Sequence, residues 1–296
     1  MRTTFINQLV EEARKNDKIF LLVGDLGYNV VEPFANEFPD RFINVGICEQ
    51  NMAGIAGGLA MNGWIVYCYS IGNFPTLRCI EQIRNDIVYY NSNVRIVSVG
   101  AGYAYGSQGV SHQATEEIGM LRTLPNMVIC SPSDPLETKM IVKQSVTYQG
   151  PMYIRLGKAG EKNIWKLCKD NCIIGDILPY RIGKNKKAIL VTGSIASSII
   201  NESKSEQYDI YTVPYVKPLN NDGIIDIANK YNEIVVVEEH QKSCGVGSAI
   251  IERISDLYTD GSIDTFPRVK RIAINDEFCE VSGSQNYLRE VSSLKL

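Results

Sequence analysis

Histidine is scarce in this 296-residue chain: only His112 and His240 occur, which excludes a histidine-rich metal centre. The eight cysteines include no C-x-x-C pair, and Cys68 and Cys130 sit inside apolar strand candidates. Buried, reduced thiols of a cytoplasmic protein fit that pattern better than disulfides or a metal site, so no metal ligands are expected in this chain. No apolar run is long enough to cross a bilayer, so a membrane is not an expected partner. There is no block of basic residues and the net charge is −3, which argues against nucleic acid. Internal repeats and low-complexity segments are absent too. The start, M-R-T-T-F-I-N-Q-L-V-E-E-A-R, spaces Phe5, Leu9 and Val10 among charges, as an amphipathic helix does and a signal peptide does not.

What is present is alternation. Short apolar runs at Ile19–Gly24, Phe42–Gly46, Ile65–Ser70, Val94–Gly100, Met127–Ser131 and Met152–Leu156 predict strands. Helices are expected between them at Glu49–Met61, Pro75–Tyr90, Gln113–Leu121 and Pro135–Tyr148. The last of these opens with Asp134, Pro135 and Glu137, a capping-box arrangement with proline at the first helical position. Gly157 to Lys187 is rich in Lys, Asn, Gly and Asp and reads as a linker with a short hairpin-like piece. Strands are then expected at Ala188–Thr192, Tyr208–Val213, Ile234–Glu238 and Val269–Ile274, with helices near 195–204, 221–231, 247–258 and 284–292. The pattern predicts an α/β protein of two doubly wound domains with mainly parallel sheets. The expected division is 1–165, a linker at 166–187, and 188–296.

The richest stretch is D-R-F-I-N-V-G-I-C-E-Q-N-M-A-G-I-A-G-G-L, from Asp40 to Leu59. A short strand ends at Gly46, and a helix then opens with Glu49 ahead of an apolar stripe of Met52, Ile55, Ala56 and Leu59. A carboxyl there is partly desolvated and suited to holding or sharing a proton. An acidic residue in a first helical turn can also do no more than complement the helix dipole. The small residues at 53, 54, 56, 57, 58 and 60 let another backbone or a flat ligand approach closely.

In open α/β sheets, ligands sit at the carboxyl ends of the strands. The loops expected on that rim carry Gly24-Asp25-Leu26-Gly27, Glu49, Ser70 to Phe74, Gly100 to His112, and Gly157-Lys158 beyond Arg155.

These segments resemble the transketolase family. The resemblance rests on Gly24-Asp25-Leu26, P-D-R-F-I-N-V-G-I-C-E-Q-N-M, Q-I-R-N-D-I, S-H-Q at 111–113 and P-M-Y-I-R-L-G-K at 151–158 for its pyrimidine-binding domain. V-T-G-S at 191–194, V-K-P-L at 216–219, V-V-E-E-H at 236–240 and G-V-G-S-A at 245–249 match its C-terminal domain. The G-D-G motif of the family's diphosphate-binding domain is missing. The resemblance therefore implies the C-terminal half of a split enzyme. Its partner would be an N-terminal subunit that supplies the Mg²⁺ ligands, in an α2β2 heterotetramer acting with thiamine diphosphate on sugars or sugar phosphates.

Residue by residue, the resemblance implies that Glu49 hydrogen-bonds a ring nitrogen of the cofactor's aminopyrimidine and so activates its thiazolium carbon. Phe74 would pack on that ring, with Leu77 and Ile80 lining the same pocket; ordinary core packing is the other reading of Phe74. Asp25 would orient groups near the pyrimidine, or serve as a simple turn or cap. His112 would contact the hydroxyls of the ketol donor, and Arg155 an acceptor phosphate, unless Arg155 forms a salt bridge between domains. His240 is expected to be structural. Three positions depart from the family. Gln108 replaces an aspartate that recognises a substrate hydroxyl, Gly100 a histidine near the substrate, and Asn29 a serine that helps with phosphate. Exchanging a carboxylate for an amide changes both charge and donor pattern, which points to a modified sugar in a specialised carbohydrate pathway. The glutamate motif also occurs in pyruvate-dehydrogenase-type beta subunits and deoxyxylulose-phosphate synthases. A non-catalytic regulatory subunit of the same fold is the third reading.

Overall fold

Ile19–Val23 (β1) is apolar and buried at every position, as a parallel strand covered by helices on both faces must be. Val94–Val99 (β4) and Met152–Leu156 (β6) are likewise buried throughout, with Arg95 and Arg155 enclosed among the apolar residues. Phe42–Asn44 (β2), Ile65–Ile71 (β3) and Val128–Cys130 (β5) complete this group. Leu178–Arg181 (β7), Lys187–Val191 (β8), Asp209–Thr212 (β9), Tyr215–Lys217 (β10), Glu233–Gln241 (β11) and Arg268–Ile274 (β12) follow. In this computed structural model, which describes residues 1–169 and 171–296, they form two sheets of order β10-β5-β6-β4-β3-β1-β2 and β12-β11-β8-β9-β7. All pairings are parallel except β10 with β5 and β7 with β9. The mixed α/β architecture with two mainly parallel sheets is the one expected.

Two strands lie outside the runs expected as strands, one of them where only a short hairpin-like piece was expected. β7 lies inside the expected linker and contains Pro179, which suits the sheet edge it occupies. β10 lies between Pro214 and Pro218 and leaves the second half of the chain to pair with β5, Tyr215 opposite Cys130. Three helices also differ from expectation. The helix expected over Pro75–Tyr90 is a 3-10 turn at Leu77–Cys79, one α turn at Ile80–Gln82 and a π-helical stretch at Ile83–Val88. The helix expected from Gln113 starts only at Glu117, because Ala114 bridges back to Gly102 through bonds of 2.9 and 3.1 Å. The helix expected near 195–204 spans Ala196–Ile200 and gives way to a 3-10 turn at Ser203–Gln207.

Buried polar groups lock the halves together. The Asp134 carboxylate accepts from Glu137 N at 2.8 Å, as a capping box requires, while Glu137 reaches one residue past the N-cap and accepts from Ser133 N at 2.7 Å. The same two carboxylates reach further: Asp134 takes the amides of Ile164 and Trp165, and Glu137 takes Trp165 Nε1 and Thr212 Oγ1. At the other end of that helix, the buried Arg95 donates to the carbonyls of Ser145, Tyr148 and Gly150. In the second sheet, Glu238 caps the helix Val246–Thr259 by accepting from Val246 N and Gly247 N at 2.7 and 2.8 Å. This explains why V-V-E-E-H and G-V-G-S-A occur together.

A Cβ on Gly57 would lie 2.5 Å from the Asp86 carbonyl oxygen, so Gly57 is where the helix Glu49–Met61 meets the π-helical stretch backbone to backbone. Gly57→Ala is expected to cost about 1–3 kcal/mol in denaturant unfolding, overriding the better helix propensity of alanine; a stabilised variant would contradict that contact. Burial raises the Glu238 carboxyl from its ordinary 4.5 to about 7. A raised folded value gives stability that is complete below about pH 4.5 and is lost as pH climbs through about 7. Wild-type chain should therefore lose up to about 3 kcal/mol more than Glu238→Gln across that window. Parallel pH profiles of urea unfolding would be the contrary result.

Candidate active site

Glu49 opens its helix five residues after Asn44, the last residue of β2, and it is 2% exposed. Its Oε1 accepts a 3.3 Å hydrogen bond from Ser70 Oγ at the end of β3. Its Oε2 is held at 2.8 Å by Arg78 Nη1. Gly24 passes close: a Cβ there would touch both Glu49 and Ser70 at 3.4 Å. The Arg78 guanidinium lies over the Phe74 ring, 4.6 Å from its centroid. The Phe74 ring in turn meets His112 edge to face at 5.3 Å, and His112 Nδ1 lies 3.0 Å from Ser111 Oγ. Glu49, Arg78, Phe74 and His112 thus form one continuous row along the carboxyl rim. In the residues next to Phe74 and His112, Asn73 Oδ1 and Gln113 Nε2 are buried polar atoms with no partner.

The loop Gly100–His112 that carries His112 is fixed from the second half of the chain. Glu239 Oε1 accepts from Tyr103 N at 2.6 Å, and Glu239 Oε2 is paired with Arg289 at 2.6 Å. Gln285 Nε2 also donates to Glu239, Tyr103 OH meets Ser292 Oγ at 2.8 Å, and Gly283 N donates to Gly106 O. At Gly100, where φ is +105°, the space a Cβ would need is taken by the Tyr105 ring at 2.4 Å. A tyrosine ring thus fills the space that a side chain at position 100 would take. Gln108 is exposed at the loop tip.

The remaining sites predicted from sequence are spread more widely. Asp25, at φ +53°, accepts from Asn44 Nδ2 and Tyr28 OH at 3.0 and 3.2 Å, a local turn network. Asn29 is exposed at φ +60°, its amide held by Glu32 at 2.8 Å. Leu77 is half-buried, one residue before Arg78. Ile80 lines a different depression, a groove of about 810 Å³ with Arg84, Met120 and Cys244. Of the two readings of Arg155, its contacts resemble the structural tie. It is 2% exposed, donates to the Glu117 carboxylate at 2.5 Å, and spends Nη2 on the carbonyls of Ala114 and Glu239 at 2.7 and 3.0 Å. A guanidinium so enclosed is a tie between the two halves of the chain, not an open phosphate ligand. His240 is buried beside it, with Nδ1 against the Gln241 carbonyl. Sequence reasoning missed Arg78, Glu239 and Arg289. The one available signal was Arg78 four residues beyond Phe74, a spacing that brings side chains together on a helical turn.

A buried carboxylate, an aromatic face and a loop histidine thus stand together on the rim of a parallel sheet in an α/β fold. The transketolase pyrimidine-binding domain matches residues 1–160 and the transketolase C-terminal domain matches 189–285. The chain belongs to the transketolase family and corresponds to its C-terminal half. A putative transketolase C-terminal section from Methanocaldococcus jannaschii is 33% identical over 94% of this chain and 87% of that protein. An apulose-4-phosphate transketolase subunit from Actinobacillus succinogenes is 32% identical over 88% of this chain and 83% of its own. A split-gene transketolase solved as an inactive β4 tetramer superposes with TM-score 0.84 at 31% identity, covering 99% of this chain and 93% of that one.

Loss of the buried cation tests the structural role of Arg155. Arg155→Met leaves the Glu117 carboxylate buried without its partner and is expected to cost about 3–5 kcal/mol in chemical denaturation. The double change with Glu117→Gln should recover a large part of that loss. A single variant as stable as wild type would contradict the assignment.

Proposed function

We propose that this chain is the C-terminal subunit of a thiamine-diphosphate-dependent transketolase that moves a two-carbon ketol unit from a ketose to an aldose. The observation that carries the proposal is the buried Glu49 carboxylate on the same rim as the Phe74 ring. One offers an edge partner for a ring nitrogen, the other a face for the ring. Thiamine diphosphate, when bound, supplies the carbon nucleophile that accepts the ketol unit. Glu49 holds the proton at the pyrimidine ring nitrogen, Phe74 sets the plane of that ring, and His112 contacts a hydroxyl of the donor sugar. Among the described residues no three His, Cys, Asp or Glu come together as a metal site. Mg²⁺ and the diphosphate are assigned to an N-terminal partner subunit, two copies of each chain forming the active assembly in the cytoplasm.

The sugar is a modified one in this reading. An exposed amide at Gln108 and a tyrosine ring behind Gly100 give the loop a donor pattern unlike that of a carboxylate and an imidazole. The named activity of the Actinobacillus relative, on apulose 4-phosphate, supports a specialised substrate. In the complex reconstituted with its N-terminal partner, Glu49→Gln is expected to lower ketol transfer by roughly 10²-fold or more. Unchanged turnover would favour a non-catalytic role. Xylulose 5-phosphate and ribose 5-phosphate should be poor substrates for the wild-type complex; full transketolase rates on that pair would remove the modified-sugar assignment. Decarboxylation of pyruvate would move the reading to a keto-acid enzyme.

A further inference from the structure

We infer that Arg78 occupies the aminopyrimidine's place in the unassembled chain, and that its side chain has to leave Glu49 and Phe74 when the cofactor enters. This rests on the reading of Glu49 and Phe74 proposed above.

The guanidinium is planar, with N–H groups along its edge and a flat face that stacks on aromatic rings. Arg78 meets both side chains: its Nη1 bonds Glu49 Oε2 at 2.8 Å and its guanidinium carbon lies over the Phe74 ring, 4.6 Å from the centroid. These are the two contacts an aminopyrimidine would make with the same side chains, an edge on the carboxyl and a face on the ring. The two occupants also need different forms of the carboxyl. An ion pair uses the carboxylate, whereas a bond to an unprotonated ring nitrogen needs a proton between the two atoms.

The pair is built to open from one side. The Glu49 side chain is 1% exposed and the Arg78 side chain 44% exposed, so the carboxyl is fixed and the guanidinium has water on its free face. Gln50 Nε2 donates to the Arg78 carbonyl at 3.1 Å, which pins the backbone and leaves only the side chain to move. The pairing has a physical use. A buried carboxylate without a partner is costly, so Arg78 keeps the site intact until a ligand replaces it.

The test is calorimetric titration of thiamine diphosphate with Mg²⁺ into the reconstituted complex carrying wild-type chain, Arg78→Ala or Arg78→Lys. Thermal unfolding of each confirms that it is folded. Removing the competitor should tighten cofactor binding by about tenfold, the equivalent of one charge-assisted hydrogen bond. Lysine keeps the charge but not the flat face, so it should fall between alanine and wild type. Equal or weaker binding by Arg78→Ala would overturn the inference and make Arg78 a support for Glu49 instead. Glu49→Gln, assayed in parallel for ketol transfer, separates the two levels. If that variant is inactive while Arg78→Ala binds no more tightly, the Arg78 inference alone fails. If it is fully active, the site reading beneath the inference fails with it.

Discussion

The seam between the two sheets is held by buried charge. Arg155 reaches from β6 to the Glu117 carboxylate on its own side and to the Glu239 carbonyl across the seam, and Glu239 is itself clamped by Arg289 and Tyr103 N. Each of these groups would be expensive to bury alone. Together they leave little freedom in how the halves meet, and Glu137, shared between Trp165 Nε1 and Thr212, fixes the same seam from another point.

The candidate site depends on that seam. Glu49 and Phe74 come from the first sheet's own rim, but the loop that brings His112 against Phe74 is tied down by Glu239, Gln285 and Ser292. The C-terminal half thus helps to position the loop that carries His112, and it works through Tyr103 and Gly106 of that loop. The close approach at Gly57 does similar work beneath the site. It seats the helix of Glu49 against the π-helical stretch that follows Arg78.

Much of this was legible in the chain itself. Apolar runs such as Ile19–Val23 and Val94–Val99 fit strands buried on both faces, and strict alternation with helices leaves a parallel sheet whose carboxyl rim collects Glu49, Phe74 and His112. What escaped was set by contacts distant in sequence. The partner of Arg155 lies 38 residues away and its acceptor across the seam 84 residues away, so its apolar strand marks it as buried but nothing local marks what it pairs with. β10 is short and flanked by prolines, and only the open edge beside β5 makes it a strand. The Pro75–Tyr90 helix has the right composition, but close packing of Asp86 on Gly57 accompanies a wider turn there.

The most direct measurement is calorimetric titration of thiamine diphosphate with Mg²⁺ into this chain alone and into its mixture with an N-terminal partner that carries the diphosphate-binding domain. A split enzyme whose Glu49 and Phe74 hold only the pyrimidine end should bind tightly in the mixture and weakly or not at all alone. Absence of binding in the mixture, with both chains folded and associated, would contradict a cofactor site built around Glu49.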